Sequence, residues 1–473
     1  MMRRTLQTFG WLLLALGSSA QLGAQGRFDL EKTKTIVSGL VQKTLAENGI
    51  PSMSIALVRG DSIVWAAAFG YANVRTKTLA TPETYYSTGS SFKSATATAI
   101  MQLVDQGKIR LDDPINRYLG DHRVMDRIQS EKQVTFTHIL SHWSGLRAGA
   151  ETKPIWGRTL PKTLEAMTSS LYSIRAPEAR YEYNNFAYGM AGLLVEKISG
   201  VEYEKYIVEN ILKPIGVTTP HPVYPSPEMV ETMALPYNAG GSHGTPRPEV
   251  QVHFDVYPAG DIYLTASDMA RFLGAHINGG VFNGKRILSA ESIKAMHEPR
   301  FGSNYGFGFT VTKDSATGNT LINHGGAIPG QRAFMIGDVD AKVGLYYMTN
   351  SDFLPDSPTR YSELVEAALR LLRGQDPLPR AEKKEIAVDD RTLNRYVGTY
   401  ELENGTITIS RVGRALVFQQ GESLARHELL AETPTRFFRR NSNAVVTFEG
   451  DGGAVDRLVL ETGNQRRTAI RRR

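Results

Sequence analysis

The amino-acid sequence predicts an α+β protein that is followed by a small antiparallel β-barrel domain. Two observations predict this architecture. First, a β hairpin near the start and a β meander near the end of the first domain enclose a long middle region with helical periodicity. Second, beyond residue 388 the pattern changes to short strands separated by Gly, Asn and Asp turns, which is typical of an all-β domain.

The composition indicates a soluble globular protein large enough for two or three domains. Of the 473 residues, 41% are hydrophobic and 22% are charged. The net charge is +6, but five of the last eight residues are arginines, and no basic patch with interleaved aromatic residues occurs elsewhere. We therefore expect no nucleic-acid partner. The absence of cysteine excludes disulfides, thiolate catalysis and a lipid-modified cysteine.

The first 25 residues have the pattern of a secretory signal peptide. Arg3 and Arg4 precede an apolar run, and small residues follow it, so that cleavage is expected after Ala20 or Ala24. The apolar run is shorter than the roughly 20 residues that span a bilayer. We therefore expect an exported protein, periplasmic or secreted, after removal of residues 1–25.

The first domain is expected over residues 27–372. It begins with an amphipathic helix at Asp29–Asn48, and strands at Ser52–Val58 and Ser62–Gly70 follow as a hairpin. A second helix starts at Ser90 and ends near Gly107.

The later part of this domain combines loops, one helix and a meander. Pro214–Pro258 is rich in proline and glycine, which predicts long loops that could form one wall of a cleft. A capped helix is expected at Tyr263–Leu273, and a closing helix at about 361–372. Four strands are expected between these helices, at Phe307–Thr312, Thr320–Asn323, Ala333–Gly337 and Lys342–Thr349.

Residues 373–388 contain two prolines and a charged run, which predicts an interdomain linker. Residues 389–473 then form the predicted β domain, in which no cluster of acids, bases or metal ligands occurs. Its expected strands are 396–401, 406–410, 415–419, 436–439, 445–448 and 457–460.

The segment Ser90-Ser91-Phe92-Lys93 places a serine at the predicted start of a helix and a lysine one turn later. The positive end of a helix dipole favours an alkoxide at Ser90, and Lys93 could reach the same hydroxyl. The pattern S-x-x-K occurs by chance about once in a chain of this length. A serine cap with a solvated lysine is therefore the alternative interpretation.

Three further polar clusters are ambiguous when each is considered alone. His138 and His142 have i,i+4 spacing that could bind a metal, although no third ligand is evident, and a structural role is favoured. Tyr183 and Asn185 lie at a loop-to-helix junction, where they could face a cleft or pack on the core. The sequence His324-Gly325-Gly326-Ala327 ends a predicted strand, and its glycines would allow a ligand to approach the backbone.

Taken together, these clusters resemble the serine β-lactamase and penicillin-binding-protein superfamily, specifically the class C-related serine hydrolases. Ser90-x-x-Lys93 resembles the family's first motif, Tyr183-x-Asn185 its second, and His324-x-Gly326 a variant of its Lys-Thr-Gly motif. The flanking sequences L-D-D-P, L-S-H-W-S-G-L and P-A-G-D are similar as well. The similarity spans 50–372, and residues 389–473 resemble the lipocalin-like domain of some members.

The resemblance implies an antiparallel sheet with flanking helices, an all-helical lobe, and an active site between them that needs no cofactor or metal. Ser90 would be the nucleophile, and Lys93 with Tyr183 the coupled base, in which the ammonium lowers the pKa of the phenol. Asn185 would orient the substrate. The backbone N–H groups of Ser90 and Ala327 would form the oxyanion hole.

The third motif departs from the β-lactamase pattern, since His324 and Gly325 stand where antibiotic-hydrolysing members have Lys and Thr. A neutral imidazole binds a substrate carboxylate poorly. Arg332 could supply the missing charge, although an ordinary surface arginine is the favoured interpretation. We therefore expect an esterase or D-amino-acid peptidase rather than an efficient β-lactamase. The partner would be a small-molecule or peptide substrate, including cell-wall fragments. The alternative is a penicillin- or peptidoglycan-binding protein without turnover.

Overall fold

The computed structural model describes most of the chain from residue 27 onwards. The described residues are 27–147, 154–156, 164–165, 171–223, 225–353, 356, 361–378, 384–403, 405–421, 426–439, 444–450, 455–462 and 465–472. The predicted signal peptide, residues 1–25, lies outside them. None of the described helices is long and apolar enough to cross a bilayer.

A seven-stranded antiparallel sheet forms the centre of the first domain. The N-terminal hairpin pairs with the last strand of the meander, because Ser52–Arg59 lies against Val343–Thr349. In sheet order the strands are Thr310–Lys313, Thr320–Ile328, Gln331–Asp338, Val343–Thr349, Ser52–Arg59, Ser62–Asn73 and Thr78–Leu79.

Helices cover both faces of this sheet. The first helix, Leu30–Asn48, and Glu363–Leu372 bury Val37, Val41 and Val365 against one face. The helix Ala266–Ile277 packs on the other face, next to the helical lobe. The α-helices are Leu30–Asn48, Lys93–Asp105, Phe136–Leu140, Asn185–Ser199, Tyr203–Ile207, Pro227–Thr232, Ala266–Ile277, Ala290–Met296, Glu363–Leu372 and Asp390–Tyr396.

Short elements connect the larger ones. The 3₁₀ turns are Gly89–Phe92, Ile115–Arg117, Gly120–His122, Lys213–Ile215 and Tyr257–Ala259, and a π-helical turn covers Val208–Leu212. Paired short strands are Tyr86–Ser87 with Tyr263–Leu264, Met125–Asp126 with Tyr172–Ser173, Pro154–Trp156 with Val252–Phe254, Tyr237–Asn238 with Arg247–Pro248, and Val281–Phe282 with Lys285–Arg286.

The C-terminal strands close into an eight-stranded antiparallel barrel. The mixed α+β architecture and the barrel are therefore confirmed, whereas the boundaries 27–372, 373–388 and 389–473 stay predictions. The barrel strands are Gly398–Leu402, Gly405–Val412, Ala415–Gln420, His427–Ala431, Arg436–Phe438, Ala444–Glu449, Arg457–Thr462 and Gln465–Arg471.

Three sequence-based boundaries are wrong, each for a local reason. Tyr263 and Leu264 belong to a short strand, because the capping box of Thr265 and Asp268 starts the helix at Ala266. His324–Ala327 lies inside a strand rather than after it, because these residues pair with the strand that begins at Gln331. Tyr396 ends a helix that Asp389 caps, so the first barrel strand starts at Gly398.

Candidate active site

Ser90 lies in the 3₁₀ turn Gly89–Phe92, which leads directly into the helix Lys93–Asp105. The spacing had predicted a helix start at Ser90, and the structure adds the tighter turn. Ser90 is partly exposed, whereas Ser91, Phe92 and Lys93 are buried. The hydroxyl that would react is thus the part of this turn that a substrate can reach.

The Lys93 amine contacts the Ser90 hydroxyl inside the protein. Its Nζ atom is 3.0 Å from Ser90 Oγ and 2.7 Å from the Ala259 carbonyl oxygen, which accepts a hydrogen bond from it. The side chain is 0% exposed. Burial lowers the pKa of Lys93 well below its ordinary value. The amine is therefore poised to be neutral, which is the form that can take a proton from Ser90.

Tyr183 stands beside the same pair. Lys93 Nζ is 4.9 Å from the centre of the Tyr183 ring. Burial raises the pKa of Tyr183, and the nearby Ser90 hydroxyl offsets this only in part. The expected lowering of the Tyr183 pKa is therefore wrong. Burial also lowers the pKa of Lys93, which weakens the ammonium that would have stabilised a tyrosinate.

Two glycine backbones enclose the turn that carries Ser90. A side chain on Gly326 would collide with the Thr88 carbonyl oxygen, and one on Gly260 would collide with the Gly89 backbone. The Ala327 backbone nitrogen lies against Gly89, immediately before Ser90. The structure thus brings the two predicted oxyanion-hole residues, Ser90 and Ala327, to the same place from distant parts of the chain.

A cleft of about 200 Å³ opens at Ser90 and includes Asn185 and Ala327 in its lining. Asn185 begins the helix Asn185–Ser199, which the Asn184 side chain caps. The predicted loop region and the residues directly after it line another part of the cleft, with Phe254, Val256, Ala259, Gly260 and Asp261. Sequence reasoning had placed no site residue in this wall, although the quoted P-A-G-D sequence contains three of its members.

His324 is brought next to Tyr183 but is not part of the cleft lining. It is 6% exposed, and its Nε2 accepts from the Tyr305 hydroxyl at 2.9 Å while its Nδ1 donates to the Gly325 carbonyl oxygen at 2.7 Å. Burial is the main cause that lowers the pKa of His324 to about 3. The imidazole therefore offers no positive charge to a substrate.

Arg332 and the pair His138 and His142 were the remaining candidates. The Nη1 atom of Arg332 donates to the Ile328 and Gln331 carbonyl oxygens, at 2.6 and 2.9 Å. His138 bonds Thr135 and Glu178, whereas His142 lies beyond the helix end at φ +67° and accepts from the Asn184 backbone. The two imidazoles do not converge. Within the described residues, no group of three or more His, Asp or Glu side chains could hold a metal.

Comparisons with known proteins give two family matches and several close folds. The family model described as Beta-lactamase matches residues 37–369, and that described as Domain of unknown function (DUF3471) matches 382–470. Penicillin-binding protein 4* of Bacillus subtilis (strain 168) is 26% identical over 451 residues, which cover 89% of this chain and 96% of that protein.

Two solved structures show the same fold. The octameric penicillin-binding protein homologue from Pyrococcus abyssi superposes with a TM-score of 0.60 at 23% identity, covering 92% of this chain and 99% of that one. The D-amino acid amidase from Ochrobactrum anthropi SV3, complexed with L-phenylalanine amide, superposes with a TM-score of 0.57 at 23% identity. The superposition covers 72% of this chain and 97% of that one. The fold and its superfamily thus agree with the resemblance found in the sequence.

Proposed function

Because this chain belongs to the Beta-lactamase family, we propose that it is a serine hydrolase that cleaves an ester or amide bond through an acyl-Ser90 intermediate. One observation carries the proposal. Ser90 Oγ is 3.0 Å from the amine of Lys93, which is fully buried and bonded to a backbone carbonyl instead of a carboxylate. Burial lowers the pKa of this amine, so it gives up its proton more readily than an ordinary lysine, as a general base must.

In the proposed reaction, Ser90 Oγ bonds to the acyl carbon while its proton moves to Lys93 Nζ. The carbonyl electron pair moves to the oxygen, which the N–H groups of Ser90 and Ala327 stabilise, a contribution of roughly 3 kcal/mol for each donor. When this tetrahedral intermediate collapses, the bond to the leaving group breaks, and the leaving group takes a proton from the Tyr183 hydroxyl. Lys93 then reprotonates Tyr183. Water repeats the sequence on the acyl carbon and releases Ser90.

The proposed substrates are esters and D-amino-acid amides or peptides, rather than β-lactams. The neutral, buried His324 supports this choice, because it would not hold the carboxylate that β-lactam antibiotics carry. The likeness of the fold to a D-amino acid amidase is consistent with it. Export by residues 1–25 and action on cell-wall fragments complete the proposal.

A second candidate is a protein that is acylated by penicillins without turning them over. The similarity to penicillin-binding protein 4* along most of the chain favours it as the alternative. The two candidates differ in the lifetime of the acyl-Ser90 adduct, because only the hydrolase must deacylate quickly.

The experiment is a panel of p-nitrophenyl esters, D- and L-aminoacyl amides and nitrocefin, assayed with wild type and Ser90→Ala in parallel. Exposure to a fluorophosphonate or a penicillin, followed by mass spectrometry, would locate the adduct. We expect ester and D-amide hydrolysis that is lost in Ser90→Ala, and an adduct on Ser90. Full activity in Ser90→Ala would refute the nucleophile, and a stable penicillin adduct without turnover would favour the second candidate.

A further inference from the structure

His142 is a buried imidazole to which the proposed reaction gives no role. It is 0% exposed and follows the short helix Phe136–Leu140, with its backbone in the left-handed region at φ +67°. Non-glycine residues are uncommon in that region, and histidine is one of the few side chains enriched there. Such a conformation persists where the surrounding contacts require it.

Two hydrogen bonds connect His142 to the two residues that flank Tyr183. Its carbonyl oxygen accepts from the Glu182 backbone N–H at 2.9 Å, and its Nδ1 accepts from the Asn184 backbone N–H at 3.1 Å. The imidazole also lies against the Tyr183 ring, with centroids 4.3 Å apart. The backbone before and after Tyr183 and the face of its ring are thus all held by one residue.

The hydrogen bond from Asn184 also determines the form of the imidazole. Because Nδ1 accepts, it carries no proton, and the proton of the neutral ring is on Nε2. Nε2 is buried, and no partner for it exists among the described residues. A protonated ring would place two donors, Nδ1–H and the Asn184 N–H, against each other. The arrangement therefore requires the neutral imidazole.

We propose that His142 is a positioning residue, which fixes the Tyr183 hydroxyl against Ser90 through the backbone on either side of it. The inference rests on the proposed function for its catalytic consequence. A shift of about 1 Å in Tyr183 is enough to reduce a rate by about 100-fold. Other bonds support the same loop, since the Glu178 backbone N–H donates to the Trp143 carbonyl and Asn184 Nδ2 donates to the Leu146 carbonyl at 3.1 Å. The bond to Nδ1 is the side-chain bond of His142 that holds the backbone next to Tyr183.

The test compares two substitutions that each keep half of the interaction. His142→Phe keeps a ring against Tyr183 but removes the acceptor. His142→Asn removes the ring but keeps an acceptor oxygen at the same distance from the backbone as Nδ1, and asparagine tolerates a left-handed backbone. His297→Phe is the control, because it makes the same chemical change in a partly buried imidazole that bonds His276 outside the site.

We expect His142→Phe to lower kcat by about 100-fold with KM changed by less than about 3-fold, and His142→Asn to recover at least about 10-fold of that loss. His297→Phe should stay within about 2-fold of wild type. Equal kcat losses in the Phe and Asn variants, or a change confined to KM, would overturn the proposal.

Hydrogen exchange measured by mass spectrometry on peptides covering 178–188 gives a second readout that does not depend on turnover. We expect faster exchange in His142→Phe than in His142→Asn, because only the former frees the Asn184 amide. Unchanged exchange would overturn the positioning role whatever the activity. A wild-type protein without turnover or a Ser90 adduct would instead refute the proposed function and leave the exchange result to decide on His142.

Discussion

Lys93 and Arg373 are both buried cationic side chains, but their surroundings are opposite. The Arg373 side chain is 6% exposed and forms ion pairs with Asp314 at 2.7 Å and Asp338 at 2.5 Å. It caps the helix Glu363–Leu372 and ties it to the sheet. Lys93 is 0% exposed and contacts a hydroxyl, a carbonyl oxygen and two aromatic rings.

The difference shows how a buried cation is assigned to structure or to chemistry. An arginine stays charged in any surroundings, and its two carboxylate partners make Arg373 a link between elements, because an uncompensated carboxylate in the interior would be costly. An amine without a carboxylate loses its proton instead, and becomes a base. Burial alone does not distinguish the two roles, whereas the partners do.

The largest expected effect is the loss of kcat when the Lys93 amine, which has no carboxylate partner among the described residues, is removed. Lys93→Met should lower kcat by about 10³-fold or more, because general-base catalysis contributes 10²–10⁴-fold. Its melting temperature should be equal to or higher than that of wild type, since no buried charge is stranded. Steady-state kinetics and thermal unfolding measure the two quantities.

Lys93→Arg sharpens this test, because arginine keeps a cation at the site but cannot give up its proton. It should be as inactive as Lys93→Met and less stable. An active Lys93→Arg variant would mean that the charge of Lys93, rather than its basicity, is what the reaction uses.

The opposite result is expected at Arg373. Arg373→Met should destabilise the protein by about 3 kcal/mol, because it leaves Asp338 buried without its cation. Asp338 keeps the Asn319 amide and the Ala341 N–H as donors, which holds the loss to the lower end of the range. Urea unfolding at pH 7 measures it.

The kcat of folded Arg373→Met should remain within about 2-fold of wild type, since the residue does not line the cleft. The double variant with Asp338→Asn is the control, and it should recover part of the stability. A large loss of kcat at unchanged stability would contradict the assignment of Arg373 to a structural role and of Lys93 to a chemical one.

The sequence was sufficient for elements that have strong local signals. Asp29 and Gly49 delimit the first helix as caps, and the hairpin strands are β-rich runs joined by a short Gly-containing turn, so both were predicted closely. Two barrel strands, His427–Ala431 and Gln465–Arg471, were missed. In the last one Ala469 is the buried apolar residue and arginines dominate, so the strand is defined by pairing with its neighbours rather than by its own pattern.

The sequence and the family resemblance indicated which residues would come together at the candidate site. They did not indicate the charge states of those residues. The closeness of Ser90 and Lys93 follows from their spacing on one helical turn. The positions of Tyr183, Asn185 and Ala327 relative to Ser90 came from the family resemblance, because they are set by long-range packing. The direction of the Tyr183 pKa and the contact of Lys93 with Ala259 could not be predicted, since both depend on burial.

The smallest expected effect is on the pH dependence of stability, and it concerns two other basic side chains, His276 and His297. His276 and His297 contact each other at 3.2 Å, and the other nitrogen of His276 contacts the Thr98 hydroxyl at 3.1 Å. Burial lowers the pKa of both, that of His297 to about 3. In the unfolded chain these imidazoles titrate near pH 6.5. Between these values the unfolded state binds more protons than the folded state, so stability must rise with pH.

We therefore expect the free energy of unfolding to fall as the pH is lowered from 7 to 5. Each buried histidine contributes at most about 1.4 kcal/mol per pH unit. His297→Phe should lower the slope by up to that amount, and His221→Phe, at an exposed position, should leave it unchanged. If the unfolding free energies of wild type and His297→Phe changed equally with pH, the His297 imidazole would bind a proton as readily in the folded protein as in the unfolded chain.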